Sequence, residues 1–110
     1  MNELLIPQIT VDEVNDAING GKNFILIDVR TTEELTRGKI AGCINIPIVE
    51  IKEKVVAIIP DKSKTIYVYC LSSSRSDVAV QIMRKLGYTK VFSMAHGLLE
   101  WRTKNYPLSV

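Results

Sequence analysis

Cys70 stands where a reactive thiolate could be made. It closes an apolar run, Thr65-Ile66-Tyr67-Val68-Tyr69-Cys70, which reads as a buried strand. A short polar loop follows, Leu71-Ser72-Ser73-Ser74-Arg75, and a helix is expected from Ser76-Asp77. A helix start carries partial positive charge and unpaired N–H groups. Both stabilise an anion, so a thiol set against them is expected to have a lowered pKa. Open α/β sheets also bind their ligands at the carboxyl ends of strands.

The loop itself has the composition of an anion cradle. Successive backbone N–H groups in a tight turn before a helix form a nest. Ser72, Ser73 and Ser74 add hydroxyl donors, and Arg75 adds a permanent, forked cation. Such a cradle suits a small anion centred on sulfur or phosphorus, with Cys70 as the nucleophile of a covalent intermediate. No general base is obvious. His96 is the only histidine, and nothing in the sequence places it beside Cys70, so a Cys–His protease pair is a weak reading. A thiolate held by backbone dipoles can still attack a sulfane sulfur, because the leaving group is a stable anion and needs no proton. The logic is that of thiol–disulfide exchange. The bland alternative is a small apolar core residue. The polar loop and helix start that follow Cys70 favour chemistry.

The elements that must position this loop can be read along the chain. Thr10 and Glu13 form a capping box. Val11, Val14, Ala17 and Ile18 make one apolar stripe behind it, and Gly20-Gly21 stop the helix. Phe24-Ile25-Leu26-Ile27-Asp28-Val29 is a continuous apolar run, as in a strand covered on both faces. Residues 31–37 read as a short helix ended by Gly38, residues 43–46 as a short strand stopped by Pro47, and residues 49–59 as weakly helical. After the Cys70 loop, residues 76–86 form a helix with Val78, Ala79, Ile82, Met83 and Leu86 on one side, capped by Gly87. Residues 90–93 are a further strand. His96-Gly97 lead into a last helix over residues 98–105, ended by Pro107. Strands and helices alternate through short connections, which predicts a three-layer α/β/α fold around a mainly parallel sheet.

Composition narrows the function classes. A chain of 110 residues, 46% hydrophobic, is enough for one domain with a real core. A net charge of +2 with scattered Lys and Arg argues against a nucleic-acid face, which needs a basic stripe. Two cysteines, Cys43 and Cys70, do not make a secreted disulfide scaffold. The segment Met1-Asn2-Glu3-Leu4-Leu5-Ile6-Pro7 has no basic part and its apolar run is too short for a signal peptide, and no stretch reaches the length of a membrane span. The expectation is a soluble, cytoplasmic monomer. Two cysteines and one histidine, far apart in sequence, make no credible metal site, and no cofactor is implied.

Three segments in order resemble the rhodanese-like family in its single-domain form, over nearly the whole chain. Ile27-Asp28-Val29-Arg30, Glu34 and Gly38-Lys39-Ile40-Ala41-Gly42-Cys43-Ile44-Asn45-Ile46-Pro47 are similar to the family's first signature. Cys70 through Arg75-Ser76 resembles its active-site loop. Gly87-Tyr88, Val91-Phe92 and Gly97-Leu98-Leu99-Glu100-Trp101 resemble its closing signature. The resemblance implies a five-stranded sheet in one domain spanning residues 1–110. It also implies a thiosulfate sulfurtransferase in which Cys70 carries a persulfide and the loop Leu71, Ser72, Ser73, Ser74, Arg75 and Ser76 holds the charged sulfur. A small-molecule sulfur donor and a thiophilic acceptor, or a sulfur-relay protein, are the implied partners.

Asp28 and Arg30 match family positions. Asp28 can be read as a catalytic carboxylate, but the preferred reading has it holding backbone N–H groups near the loop while Arg30 makes a salt bridge. Cys43 can be read as a resolving thiol, but a small apolar residue in a core strand is preferred. Trp101, Tyr67 and Tyr69 read as core or near-core packing. Four residues separate Cys70 from Arg75. Cysteine-dependent phosphatases use a loop longer by one residue and need an acid for the leaving alkoxide, so phosphatase or arsenate reductase chemistry ranks below sulfur transfer. A non-enzymatic binding or sulfur-carrier module is the other alternative. Ser73 replaces a glycine of many active loops, at a cost of about 1 kcal/mol if the backbone there is left-handed. His96 replaces the first of two glycines. Leu71 replaces a basic residue of some thiosulfate-preferring loops, so thiosulfate is expected to be a poor donor.

Overall fold

A computed structural model describes residues 5–110. Met1, Asn2, Glu3 and Leu4, part of the N-terminal segment read above, lie outside the described residues. Five strands, β1 (Gln8–Ile9), β2 (Ile25–Asp28), β3 (Ile44–Asn45), β4 (Thr65–Tyr69) and β5 (Lys90–Met94), form one sheet in the order β1-β5-β4-β2-β3. Every pairing in it is parallel. Among the described residues one antiparallel bridge, Lys39 to Ser109, lies outside it and ties residue 109 to the segment before β3.

Four α-helices cover the sheet: α1 (Val11–Asn19), α2 (Ile51–Ile58), α3 (Ser74–Lys85) and α4 (Gly97–Thr103). Side chains alternate between the two faces of a strand, and two buried clusters follow from that alternation. One holds Ile27, Val68 and Cys70 against Val55 of α2 and Ala79, Val80 and Met83 of α3. The other holds Leu26, Tyr69 and Met94 against Val11 and Val14 of α1 and Leu98 and Trp101 of α4. The fold is therefore the expected three-layer α/β/α, with helices on both faces.

Local signals worked where chemistry is local. The Thr10 hydroxyl accepts the Glu13 N–H at 3.0 Å, and the Glu13 carboxylate accepts the Thr10 N–H at 2.9 Å, closing the capping box of α1. Gly87, with φ +105°, follows the end of α3 in a conformation that favours glycine.

Several expectations are corrected. The fifth strand is β1, two residues set between Pro7 and Thr10 and too short to show a pattern. It is held by backbone bonds from Ser93 to Pro7 at 2.8 Å and from Ala95 to Ile9 at 2.9 Å. Residues 33–37 form a 3-10 helix rather than an α-helix, and a 3-10 turn over Ile48–Glu50 precedes α2. The helix after the Cys70 loop starts at Ser74, two residues earlier than expected, so Arg75 and Ser76 belong to its first turn. Cys43 precedes β3 instead of lying in it. Ile18 and Val78, both expected on buried stripes, are 38% and 47% exposed. Ile18 sits at the rim of α1, and Val78 lies on the outer side of α3, where Ala79, Val80 and Met83 face the sheet.

Candidate active site

The sheet order fixes where a site can form. From β2 the chain moves outward to β3, then returns to the other side of β2 as β4 and continues to β5. The carboxyl ends of β2 and β4 therefore flank the point where the winding reverses, which is where open α/β sheets leave a crevice. Asp28 and Tyr69 end these two strands in register. Cys70 follows directly.

Cys70 is fully buried, at the base of the loop and against the start of α3. Its Sγ accepts the Ser76 N–H at 3.4 Å, and its S–H reaches the Ser76 hydroxyl at 3.6 Å. That N–H belongs to the first turn of α3, one of the donors that a helix start leaves free. Ser76 is itself buried, with its hydroxyl donating to the Ser73 carbonyl at 3.0 Å. Ser72 and Ser74 are exposed, whereas Leu71 is half-buried and packs against the α1–α4 side of the core.

Ser73 has φ +140°, a conformation that side chains rarely adopt. The strain that sequence alone made conditional is therefore built into the loop. Ser73→Gly should raise stability by about 1 kcal/mol, the ordinary cost of such a backbone for a non-glycine residue. Urea unfolding checks this, and an unchanged or lowered midpoint would show that the loop is relaxed.

The loop is held from the other side by α4. Leu98 N–H donates to the Cys70 carbonyl and Leu99 N–H to the Leu71 carbonyl, both at 3.0 Å. This close approach needs a residue without Cβ. A Cβ on Gly97, which has φ +55°, would lie 2.6 Å from the Cys70 carbonyl oxygen and 2.5 Å from that of Leu71. Gly97→Ala should cost about 3 kcal/mol, combining backbone strain with overpacking against a main chain that cannot swing away. A loss below about 1 kcal/mol in chemical denaturation would mean the clamp yields. His96, just before it, is exposed and left-handed at φ +65°. It lines a shallow groove of about 420 Å³ with Ser72, Leu99, Glu100 and Thr103.

Two ion pairs frame the site. Asp28 and Arg30 are both buried, and the guanidinium donates from Nε to both carboxylate oxygens at 3.1 Å and from Nη2 to Oδ2 at 2.8 Å. Asp28 also accepts the Arg30 N–H at 2.8 Å, and Arg30 Nη2 donates to the Gly38 carbonyl at 2.8 Å. Asp28 thus holds a backbone N–H and its ion-pair partner at the end of β2.

The second pair was not foreseen. Arg75 donates to both oxygens of Glu34, at 2.7 and 3.0 Å, so the loop's one cation is bound to a carboxylate. The hydrogen bond from Arg75 is the main cause that takes the Glu34 pKa from 4.5 down to about 2. The folded value lies below the unfolded one, so the stabilisation is fully present above pH 4.5 and is lost as pH falls through about 2. Glu34→Gln should remove this part of the acid sensitivity. Melting temperatures across that window should fall less steeply in the variant, and parallel curves would contradict the assignment.

Cys43 is half-buried, and burial pushes its thiol pKa up. It packs with the α1–α4 cluster, whereas Cys70 lies in the α2–α3 cluster on the opposite face of the sheet. This separation favours a packing role for Cys43. Trp101 and Tyr69 are fully buried, and Tyr67 is partly so. Sequence reading missed Ser93, which is fully buried on β5 and 2.7 Å from the Ser76 hydroxyl. The available signal was a polar residue inside the apolar run Val91-Phe92-Ser93-Met94.

Known proteins of this shape and sequence are numerous. Residues 10–104 match the family described as Rhodanese-like domain. Thiosulfate sulfurtransferase PspE of Escherichia coli is 42% identical over 65 residues, covering 59% of this chain and 62% of that protein. The thiosulfate sulfurtransferase/rhodanese-like domain-containing protein 3 of Mus musculus is 36% identical over 107 residues, covering 86% of this chain and 68% of that protein. The crystal structure of a rhodanese-related protein from Thermoplasma volcanium superposes with a TM-score of 0.83 at 31% identity, covering 94% of this chain and 97% of that one. The chain spans only 55%, 62% and 61% of the length of three of the curated relatives it matches.

Proposed function

The chain belongs to the rhodanese-like domain family, and from that premise we propose that it is a sulfurtransferase that carries sulfane sulfur on Cys70. The observation that carries the reading is the placement of Cys70 at the winding reversal of the sheet, with a helix-start N–H already on its sulfur. That sulfurtransferases are among the relatives supports it.

In the proposed cycle the Cys70 thiolate attacks the outer sulfur of a donor such as thiosulfate. The Sγ–S bond forms as the donor's S–S bond breaks, and sulfite leaves with the electron pair. The cradle from Leu71 to Ser76 holds the charge of the terminal sulfur. A thiophile, cyanide or a thiolate, then attacks that sulfur and releases the Cys70 thiolate. Two half-reactions through one covalent intermediate give ping-pong kinetics. Because Cys70 has no exposed surface in the resting chain, the donor has to open the loop at Ser72–Ser74.

The charge around the loop bears on the donor. Arg75 is neutralised by Glu34, Leu71 is apolar, and the adjacent groove contains Glu100. With no free cation on the loop among the described residues to balance a dianion, singly charged donors, hydropolysulfides and organic persulfides, are preferred and thiosulfate is a slow one. The acceptor is a small thiol or a sulfur-relay protein, and the setting a reducing cytoplasm, with the domain acting as a monomer.

Cyanide-dependent thiocyanate formation, measured with polysulfide and with thiosulfate, tests the proposal. Parallel double-reciprocal lines and a higher kcat/KM for polysulfide are expected. Turnover no faster than that of free cysteine would leave the buried Cys70 in a binding module.

A further inference from the structure

Ser93 is a fully buried hydroxyl in the middle of a sheet, on the face that carries Cys70. A hydroxyl in that position costs free energy unless it is hydrogen-bonded, and its partner is the Ser76 hydroxyl at 2.7 Å. Ser76 in turn touches Cys70 twice, through its N–H at 3.4 Å and its hydroxyl at 3.6 Å. The result is a buried chain of three side chains, Ser93–Ser76–Cys70, linking β5, the first turn of α3 and the end of β4.

Counting protons gives the chain a direction. A hydroxyl has one proton and two lone pairs. While Cys70 is a thiol, Ser76 gives its proton to the Ser73 carbonyl at 3.0 Å and accepts from the Cys70 S–H and from Ser93. When the sulfur is a thiolate it has no proton to give and needs donors. The Ser76 O–H can then turn from the Ser73 carbonyl to Sγ, with the Ser93 proton still occupying one Ser76 lone pair and polarising the group.

We propose that Ser93 is a positioning residue that makes the Ser76 hydroxyl a donor to the Cys70 thiolate, the form that attacks the donor and is released by the acceptor. The proposal rests on the sulfur-transfer reading for its purpose, but its geometry can be tested without sulfur. Ser93 reaches no substrate; it acts only through Ser76. The other charged groups around Cys70 are Asp77 in the first turn of α3, which accepts from Gln8, the Arg75–Glu34 pair beside α3, the Asp28–Arg30 pair at the end of β2, and His96 and Glu100 on the α4 side. None of them contacts Ser93 among the hydrogen bonds of the described residues, so a Ser93 variant leaves them in place.

The test is the pH profile of iodoacetamide alkylation at Cys70, read by peptide mass spectrometry, in wild type, Ser93→Ala and Ser93→Thr. In Ser93→Ala the neutral-pH rate should fall roughly fivefold, the weight of one hydrogen bond, and the profile should move to higher pH with the same plateau. Ser93→Thr keeps the hydroxyl and should track wild type. If Ser93→Ala fails to fold, Ser93→Cys, a weaker donor of similar size, takes its place and should move the profile the same way. A Ser93→Ala profile that superimposes on wild type overturns the proposal, as does an equal shift in Ser93→Thr. If the profile shifts but neither wild type nor variant loads sulfur, the positioning role stands and the sulfur-transfer reading falls.

Discussion

Cys70→Ser should lose sulfur loading altogether, with turnover falling by roughly a thousandfold or more, to the rate of the uncatalysed reaction. A serine hydroxyl in the same place is a far poorer nucleophile and forms no persulfide. The substitution is nearly isosteric, and Ser76 N–H can donate to the new oxygen as it does to Sγ. The variant should therefore stay folded, and the loss should be one of chemistry. Thiocyanate assays checked against thermal melts separate the two. A Cys70→Ser protein that loads sulfur as well as wild type would remove Cys70 from the mechanism and leave Cys43 as the thiol to test. Cys43 packs on the opposite face of the sheet, and burial pushes its thiol pKa up, so Cys43→Ser should leave turnover close to wild type.

The largest expected effect on stability comes from the Asp28–Arg30 pair. Both side chains are buried, at 0% and 2% exposure. Among the described residues no buried side-chain nitrogen or oxygen lacks a partner. Asp28→Asn keeps the shape but leaves the Arg30 guanidinium as an uncompensated buried charge, which costs about 3 to 5 kcal/mol. Removing both charges, as in Asp28→Asn with Arg30→Met, should be milder than the sum of the single changes, because neither charge is left alone. Urea unfolding of the two single variants and the double variant gives the coupling directly. A cost under about 1 kcal/mol for Asp28→Asn would mean that water reaches Arg30. Because Asp28 ends β2 beside Tyr69, on which the loop begins, its loss should also slow sulfur loading in whatever fraction stays folded.

Much of the fold could be read before any coordinates, because its signals are local. The Thr10–Glu13 box, the apolar runs of β2 and β4, and the glycines after α1 and α3 each state their conformation within a few residues. The same holds for Cys70, whose strand-loop-helix setting is contiguous. What stayed hidden depends on chain segments meeting from far apart. Arg75 looked like a free cation because Glu34 is 41 residues away in sequence. Ser93 looked like an ordinary strand residue because its partner, Ser76, lies across the β5–α3 contact. Gly97 read as part of a signature, but its reason is the carbonyls of Cys70 and Leu71 pressed against it. β1 has no pattern of its own and exists only by pairing with β5. Val78 followed the helical period, but the period does not say which of two adjacent stripes meets the sheet.

Intact-protein mass spectrometry after brief incubation with polysulfide, and separately with thiosulfate, followed by cyanide, tests the central claim most directly. The expected result is a gain of one sulfur atom, located on Cys70, faster with polysulfide and removed by cyanide. A protein that gains no sulfur from either donor while Cys70 titrates as a free thiol would contradict the persulfide cycle.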